Sequence, residues 1–211
     1  MWHDQRHAAG PFRPVTHFTP WLVNYRSLLR WTEPMYIRPF HCTDIPELLT
    51  WFPTPAALAQ WGSPARQFPL DEPQVAALLA ETGGLRPARR IWAAEQDGVL
   101  VATTSVVMNW QQGVALLAMV GVAPSARGTG LAKPFLTEII GMVFSDPAFA
   151  RLELNVYTFN AAAIRTYERL GFVSEGVRRS AAKVEGERWD VAHYSLLRTE
   201  YVPLPGRGLR S

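Results

Sequence analysis

Three apolar runs follow one another with only tight turns between them, at residues 90–95, 99–108 and 114–122. Asp97-Gly98 joins the first two, a dipeptide suited to the positive φ angles of a two-residue hairpin turn. Gln111-Gln112-Gly113 joins the second to the third. Strands joined this closely run antiparallel, because a parallel return needs a crossover of a dozen or more residues. An all-parallel, doubly wound sheet is therefore excluded.

The rest of the chain alternates around this block. Residues 36–40 read as a short strand. Thr43 or Asp44 is placed to cap a helix running to about Trp51, with Pro46 in its first turn. Thr54-Pro55 opens a second helix ending at Gly62, and Asp71-Glu72-Pro73 a third ending at Gly83-Gly84. Past the third strand, Leu131, Phe135, Ile139 and Val143 recur every four residues, a buried stripe on a helix over about 130–144. A strand at 152–157, a helix at 161–170 stopped by Gly171, and strands at 172–179 and 189–197 complete the order. The expected class is mixed α/β, with a mostly antiparallel sheet flanked by helices.

Of the 211 residues, 48% are apolar, enough for a full core at this length. No run of ~18 consecutive apolar residues suggests a membrane span. The first residues lack the cationic-then-apolar layout of a secretory leader. A single cysteine, Cys42, excludes an internal disulfide framework and fits a reducing, cytoplasmic setting. It is expected to be a small buried residue rather than a nucleophile. No Cys/His cluster has zinc spacing, so no metal is expected.

The pI of about 9.3 invites a nucleic-acid reading. The charge distribution argues against it. Residues 1–34 carry four arginines against Asp4 and Glu33, and residues 203–211 carry Arg207 and Arg210. Residues 35–202 hold 15 basic against 16 acidic residues. A nearly neutral body matches a phosphate backbone poorly. Residues 1–34, punctuated by Pro11, Pro14, Pro20 and Pro34, read as an extension of unknown role with a short helix at 21–31. Residues 203–211 read as a flexible tail.

The segment from Val120 to Ala132 is the most informative one. A strand ends, Arg127-Gly128-Thr129-Gly130 turns, and a helix begins at Leu131-Ala132. Gly128 and Gly130 let backbone approach a ligand closely. Amides at a helix start carry the positive end of its dipole and suit phosphate oxygens. Arg127 adds a charge and a donor fork. A dinucleotide fingerprint does not fit, since position 133 is Lys133 rather than glycine. A Walker loop does not fit either, because Gly130 is not followed by Lys and Ser/Thr. A plain strand-to-helix turn accounts for the glycines but not for Arg127.

Further on, Asn160 and Tyr167 stand seven residues apart, two turns along one helix face. In isolation, an N-cap and a core aromatic account for the pair. Together, the two segments carry the pattern R-x-x-G-x-[GA] at Arg127, Gly130 and Ala132. They also carry N-x-x-A-[IVA]-x-x-Y-x-x-x-G-F at Asn160, Ala163, Ile164, Tyr167, Gly171 and Phe172. This combination resembles the GNAT superfamily of N-acetyltransferases over residues 35–202. Residues 171–178 and 186–190 look most like the branch that contains the ribosomal-protein and polyamine acetyltransferases, the ribosomal-protein N-acetyltransferases foremost.

The resemblance implies acetyl-CoA as cosubstrate and a primary amine as acceptor, with no acyl-enzyme. Arg127, Gly128, Thr129, Gly130, Leu131 and Ala132 would hold its pyrophosphate. The strand containing Met119, Val120 and Val122 would bind the pantetheine arm, with an amide near Val120 polarising the thioester carbonyl. Asn160 would contact the pantetheine or sulfur region, and Tyr167 would protonate the leaving thiolate. Relatives often place an acid five residues before the asparagine, where this chain has Asn155. Glu153, two residues back on the same strand face, is the substitute general base, unless it is merely an exposed strand charge. Pro134, near the first turn of the loop helix, removes an amide and puts the helix start in question. The acceptor expected is a protein or peptide N-terminal α-amine. A polyamine or antibiotic amine is the alternative, with Glu185, Glu187 and Asp190 as its acids. A non-catalytic acyl-CoA-binding module is a further alternative, against which Tyr167 speaks.

Overall fold

The computed structural model describes residues 35–202. The extension at 1–34, with its expected helix at 21–31, and the tail at 203–211 lie outside the described residues. The elements run β1 (Tyr36–Pro39), α1 (Ile45–Leu49), α2 (Pro55–Gly62), α3 (Glu72–Ala80), β2 (Arg89–Gln96), β3 (Val99–Asn109), β4 (Val114–Val122), α4 (Ala132–Ser145), β5 (Arg151–Tyr157), α5 (Ala161–Arg169), β6 (Val173–Val184) and β7 (Glu187–Leu197). The strands form one seven-stranded sheet in the order β1-β2-β3-β4-β5-β7-β6. Every neighbouring pair is antiparallel except β4 and β5.

Most elements begin and end where local chemistry dictates. Thr54 and Asp71 cap α2 and α3 by accepting from the amides of Ala57 and Gln74. Asp97 and Gly98 take φ of 51° and 75° at the β2–β3 turn. The stripe on α4 is buried at Phe135, Leu136, Ile139, Ile140 and Val143, under a sheet that contributes Leu152, Leu154 and Leu196 to the core. Two boundaries differ from expectation. The strand β6 runs on to Val184 through an irregularity between Arg178 and Ala182, where Ser180 has φ of 55°. The helix α4 starts at Ala132 despite Pro134. Pro134 is its third residue, where an amide has no intrahelical partner to lose.

Cys42 is exposed, contrary to the buried position expected of it. It opens a 3-10 turn, Cys42–Asp44, whose inward-facing member is Asp44, 6% exposed. Asp44 accepts two hydrogen bonds from Arg38, each 2.7 Å, and one of 2.8 Å from the His41 amide. Arg38 also donates to Glu95 at 3.0 Å, so this cluster binds β1 to the start of α1 and to β2. At the other end, Arg198 donates to the carbonyls of Phe144, Asp146 and Phe149, tying the end of β7 to the α4–β5 connection.

Burial of Asp44 works against its ionisation, but the Arg38 hydrogen bonds and the His41 amide outweigh it and hold the carboxyl below its ordinary value. Asp44→Asn leaves Arg38 facing Glu95 alone. It should cost about 2–3 kcal/mol at pH 7, less than for a fully buried pair because Arg38 keeps Glu95 and some water. A depressed carboxyl stabilises the fold above the unfolded value of about 3.9 and loses that contribution as pH falls through the folded value. Urea titrations should therefore find the gap between wild type and Asp44→Asn constant at neutral pH and narrowing below about pH 4.

Candidate active site

β4 and β5 pair only from Val114 to Leu117 and from Arg151 to Leu154. Beyond that the strands part, and Ala118, Met119, Val120 and Val122 face Asn155, Val156 and Tyr157 across a cleft of about 660 Å³. A bulge marks the parting. Thr103 pairs with Gly121 and Ser105 with Ala118, so Thr104 alone stands opposite Met119 and Val120. Met119 has φ of 51°, an uncommon conformation for a side chain of its size.

Two side chains hold this bulge. Thr104 donates its hydroxyl proton to the Ala118 carbonyl at 3.0 Å. From α2, Trp61 donates its indole N–H to the Met119 carbonyl at 2.8 Å and stacks on Phe52 with 4.5 Å between ring centres. With both carbonyls held, the Met119–Val120 backbone stays turned to the cleft. Gly121 is required beneath, since a β-carbon there would lie 3.0 Å from the Trp61 indole nitrogen and 3.4 Å from Trp51.

The sheet has different covers on its two faces near the cleft. Register places Leu154 opposite Tyr194 and Val156 opposite Ala192, and Tyr194 donates to Glu168 of α5. The alternate residues, Asn155 and Tyr157, lie opposite His193 and Val191, and Tyr157 donates to the Ala59 carbonyl of α2 at 3.3 Å. The cleft thus opens from the α5 face through to the α2 face.

At one end of the cleft lies the loop before α4. Gly128 and Gly130 have φ of 76° and 86°, and a β-carbon on either would meet no atom within 4 Å. The N-termini of α2, α3 and α5 each have a side-chain cap, whereas α4 has none and carries no acid in its first turn. An uncapped helix start behind a glycine loop fits an anionic group. Arg127 also lines the cleft and has two backbone partners. It donates through Nε to the Val122 carbonyl at 3.1 Å and through Nη2 to the Trp51 carbonyl at 3.4 Å, bracing the loop against β4 and the turn after α1.

The other expected residues divide plainly. Met119, Val120, Val122, Arg127, Gly128, Gly130, Leu131, Ala132, Asn160 and Tyr167 all line the cleft. Thr129 does not. Its hydroxyl donates to the Ala126 carbonyl at 2.8 Å and closes the loop on itself. Asn160 caps α5, its Oδ1 accepting from the Ala163 amide at 3.2 Å, so its free function toward the cleft is the amide NH₂. Tyr167 is buried, and that burial pushes its phenol well above the ordinary range.

Glu153, the expected base, does not line the cleft either. Its carboxylate accepts from Arg151 Nε at 3.1 Å, beside His193. Arg151 also grips Glu175 in a fork of 2.8 and 2.6 Å and, with the Ser195 hydroxyl, holds that carboxyl down at about 2. Glu153 is thus engaged by Arg151 outside the cleft lining, and the base role expected of it finds no support in its placement. The cleft position is Asn155, whose Oδ1 accepts from Arg178 at 3.1 Å and lies 3.2 Å from His193 Nδ1. Among the described residues lining the cleft, none is Asp or Glu, and the charged ones are Arg127, Arg165 and Arg169. Arg165 and Arg169 escaped the sequence reading, although their four-residue spacing on α5 puts them on one face. Asp190, one of the acids considered for a polyamine, accepts from the Ser180 amide at 2.6 Å and supports the β6 irregularity instead.

Comparison with known proteins agrees with this geometry. Residues 47–172 match the model of the acetyltransferase (GNAT) family. The chain belongs to that family. It is 32% identical over 75 residues to the SPbeta prophage-derived uncharacterized N-acetyltransferase YokL of Bacillus subtilis (strain 168), covering 36% of this chain and 42% of that protein. The matches span less than half the length of the curated relatives. Among solved structures, spermidine N-acetyltransferase from Vibrio cholerae, in complex with CoA and spermine, superposes with a TM-score of 0.68 at 19% identity, over 79% of this chain and 97% of that one. Ribosomal-protein-alanine N-acetyltransferase from Brucella melitensis gives 0.65 at 22%, over 77% and 99%. At these identities the likeness concerns the fold.

Gly121→Ala should press its methyl group into Trp61 and disturb the hydrogen bond that holds the bulge. The expected cost is about 1–3 kcal/mol, read as a lower denaturation midpoint, with a change in the Trp61 indole N–H resonance.

Proposed function

We infer that residues 35–202 form an acetyltransferase domain that moves acetyl from acetyl-CoA to a primary amine, with a protein or peptide N-terminal α-amine as the acceptor class. The observation that carries this reading is the uncapped start of α4 behind Gly128 and Gly130, opening on a cleft that runs between β4 and β5 to the opposite face.

Acetyl-CoA supplies the acetyl group as an activated thioester. The amides from Gly128 to Ala132 bind its pyrophosphate, with Arg165 and Arg169 adding positive charge nearby. The backbone at Met119–Val120, fixed by Thr104 and Trp61, offers an N–H to the carbonyl oxygen as negative charge builds there. The amine enters from the α2 face, its lone pair attacks the carbonyl carbon, and the C–S bond breaks. Tyr167 gives a proton to the departing sulfur from the α5 face. Its raised phenol keeps that proton through neutral and mildly alkaline pH.

The attacking amine loses its proton to water, since no carboxylate lines the cleft among the described residues. An α-amine near 7.7–8.0 is roughly one-tenth free at pH 7, whereas a lysine or polyamine amine near ~10.4 is free in about one molecule in two thousand. That difference of ~3.5 kcal/mol favours the α-amine where the protein supplies no base. A polycation also meets no acid among the described residues lining the cleft.

Two substitutions test the assignment. Gly130→Asp places a carboxylate where the pyrophosphate is proposed to lie. It should weaken acetyl-CoA binding at least roughly a hundredfold by calorimetry, and unchanged affinity in a folded variant would sink the reading. Tyr167→Phe should lower kcat by roughly 10²–10⁴ in steady-state thiol-release assays, with acetyl-CoA affinity nearly unchanged. A kcat near that of wild type would leave Tyr167 a core residue only.

A further inference from the structure

On the α2 face, where β5 ends, three aromatic rings form one group. Tyr157 and Phe159 stack nearly parallel, with 4° between planes and 5.5 Å between centres. Trp189 meets both edge-on, at 4.8 and 4.9 Å. Val191 and Ala182 are buried beneath Tyr157 and Trp189. The Tyr157 hydroxyl is held by the Ala59 carbonyl, which fixes that ring. Phe159 occupies the turn from β5 into α5, where the Ala161 amide donates to its carbonyl at 2.9 Å. Packing between rings contributes to holding an aromatic in place, but it does not require that one of them face water. Phe159 is nevertheless 52% exposed.

Tyr157 connects this group to the chemistry, because it also lines the cleft. The aromatic surface is therefore continuous with the opening through which an amine on the α2 face would reach Met119–Val120. The charge of the cleft fixes the kind of amine that fits. Its lining holds no carboxylate among the described residues, so a second cationic group on the acceptor has no partner there. An apolar group beside the nitrogen finds Tyr157 in the cleft lining, with Phe159 and Trp189 packed against it.

Resting on the proposed acetyl transfer, we propose that Tyr157, Phe159 and Trp189 form an acceptor subsite for an apolar side chain next to the reacting amine. The substrate class is an amine flanked by an aromatic or branched aliphatic group. A peptide whose first residue is Phe or Leu presents that chemistry, and so does a free arylalkylamine.

The test has two readouts. In the first, kcat/KM is measured with peptide amides beginning with Phe, Leu, Ser or Lys, and with 2-phenylethylamine and spermidine, for wild type and Phe159→Ser. The subsite requires a preference of roughly tenfold or more for Phe and Leu over Ser and Lys, lost in Phe159→Ser. The 2-phenylethylamine arm separates a free amine from a peptide. A flat preference in wild type, or one that survives Phe159→Ser, overturns the subsite while leaving acetyl transfer standing. Absence of turnover with every amine overturns the transfer reading instead.

The second readout needs no turnover. The Trp189 indole resonance, assigned by its loss in Trp189→Phe, is followed while phenylalaninamide or glycinamide is added in the presence of CoA. The subsite requires a saturable shift with phenylalaninamide, weaker by at least roughly tenfold with glycinamide. No shift, or a shift that follows protein concentration and so reports a second copy of the chain, overturns it.

Discussion

The parting of β4 from β5 is the constraint on which the site depends. A parallel pair in the middle of a sheet has every reason to continue, because each further rung satisfies two buried backbone groups. Here it stops after Leu117 and Leu154, and the backbone groups beyond must find other partners. At the bulge, Thr104 engages the Ala118 carbonyl and Trp61 the Met119 carbonyl. A hydroxyl from the neighbouring strand and an indole from a separate helix thus keep the sheet open. The strain of a methionine at φ of 51° is tolerable only because both sides of the bulge are pinned.

That opening gives the two faces of one sheet different tasks. The α5 face collects Tyr167 and the arginines Arg165 and Arg169, while the α2 face collects Tyr157, Trp61 and the exposed Phe159. Alternation along β5 is enough to make the division, since Val156 and its neighbours Asn155 and Tyr157 point opposite ways. A cleft built from a split sheet needs no hinge between domains to bring two reactants together.

Much of this could be read from the sequence. Hairpin chemistry at Asp97-Gly98, caps at Thr54 and Asp71, and the four-residue stripe on α4 are local signals, and the structure follows them. The family pattern at Arg127–Ala132 and Asn160–Phe172 located the cleft as well. What escaped was tertiary. Nothing near Trp61 in the chain says that its indole N–H ends on Met119, 58 positions away. Glu153 lies on the right strand face, and Arg151, two residues before it, shares that face by the same alternation, so its pairing was legible in the sequence as well. The backbone partners of Arg127 were not legible for a tertiary reason. A cation in a glycine loop suggests a ligand, and only the fold places the carbonyls of Val122 and Trp51 within its reach. Cys42 was assigned inward on residue type, and the 3-10 turn instead gave that direction to Asp44.

The bare start of α4 has a consequence for the protein's life at low ligand concentration. Helices fray from ends whose amides lack partners, and a side-chain cap suppresses fraying at all times. A helix that leaves this duty to an anion in solution opens more often when the anion is scarce. Phe135, Leu136 and Ile139, buried a turn or so further along, would be uncovered by deeper opening of the same end. With the proposed anion bound at this end, such opening would be suppressed, and the anion's supply would then act as a folding factor for this segment.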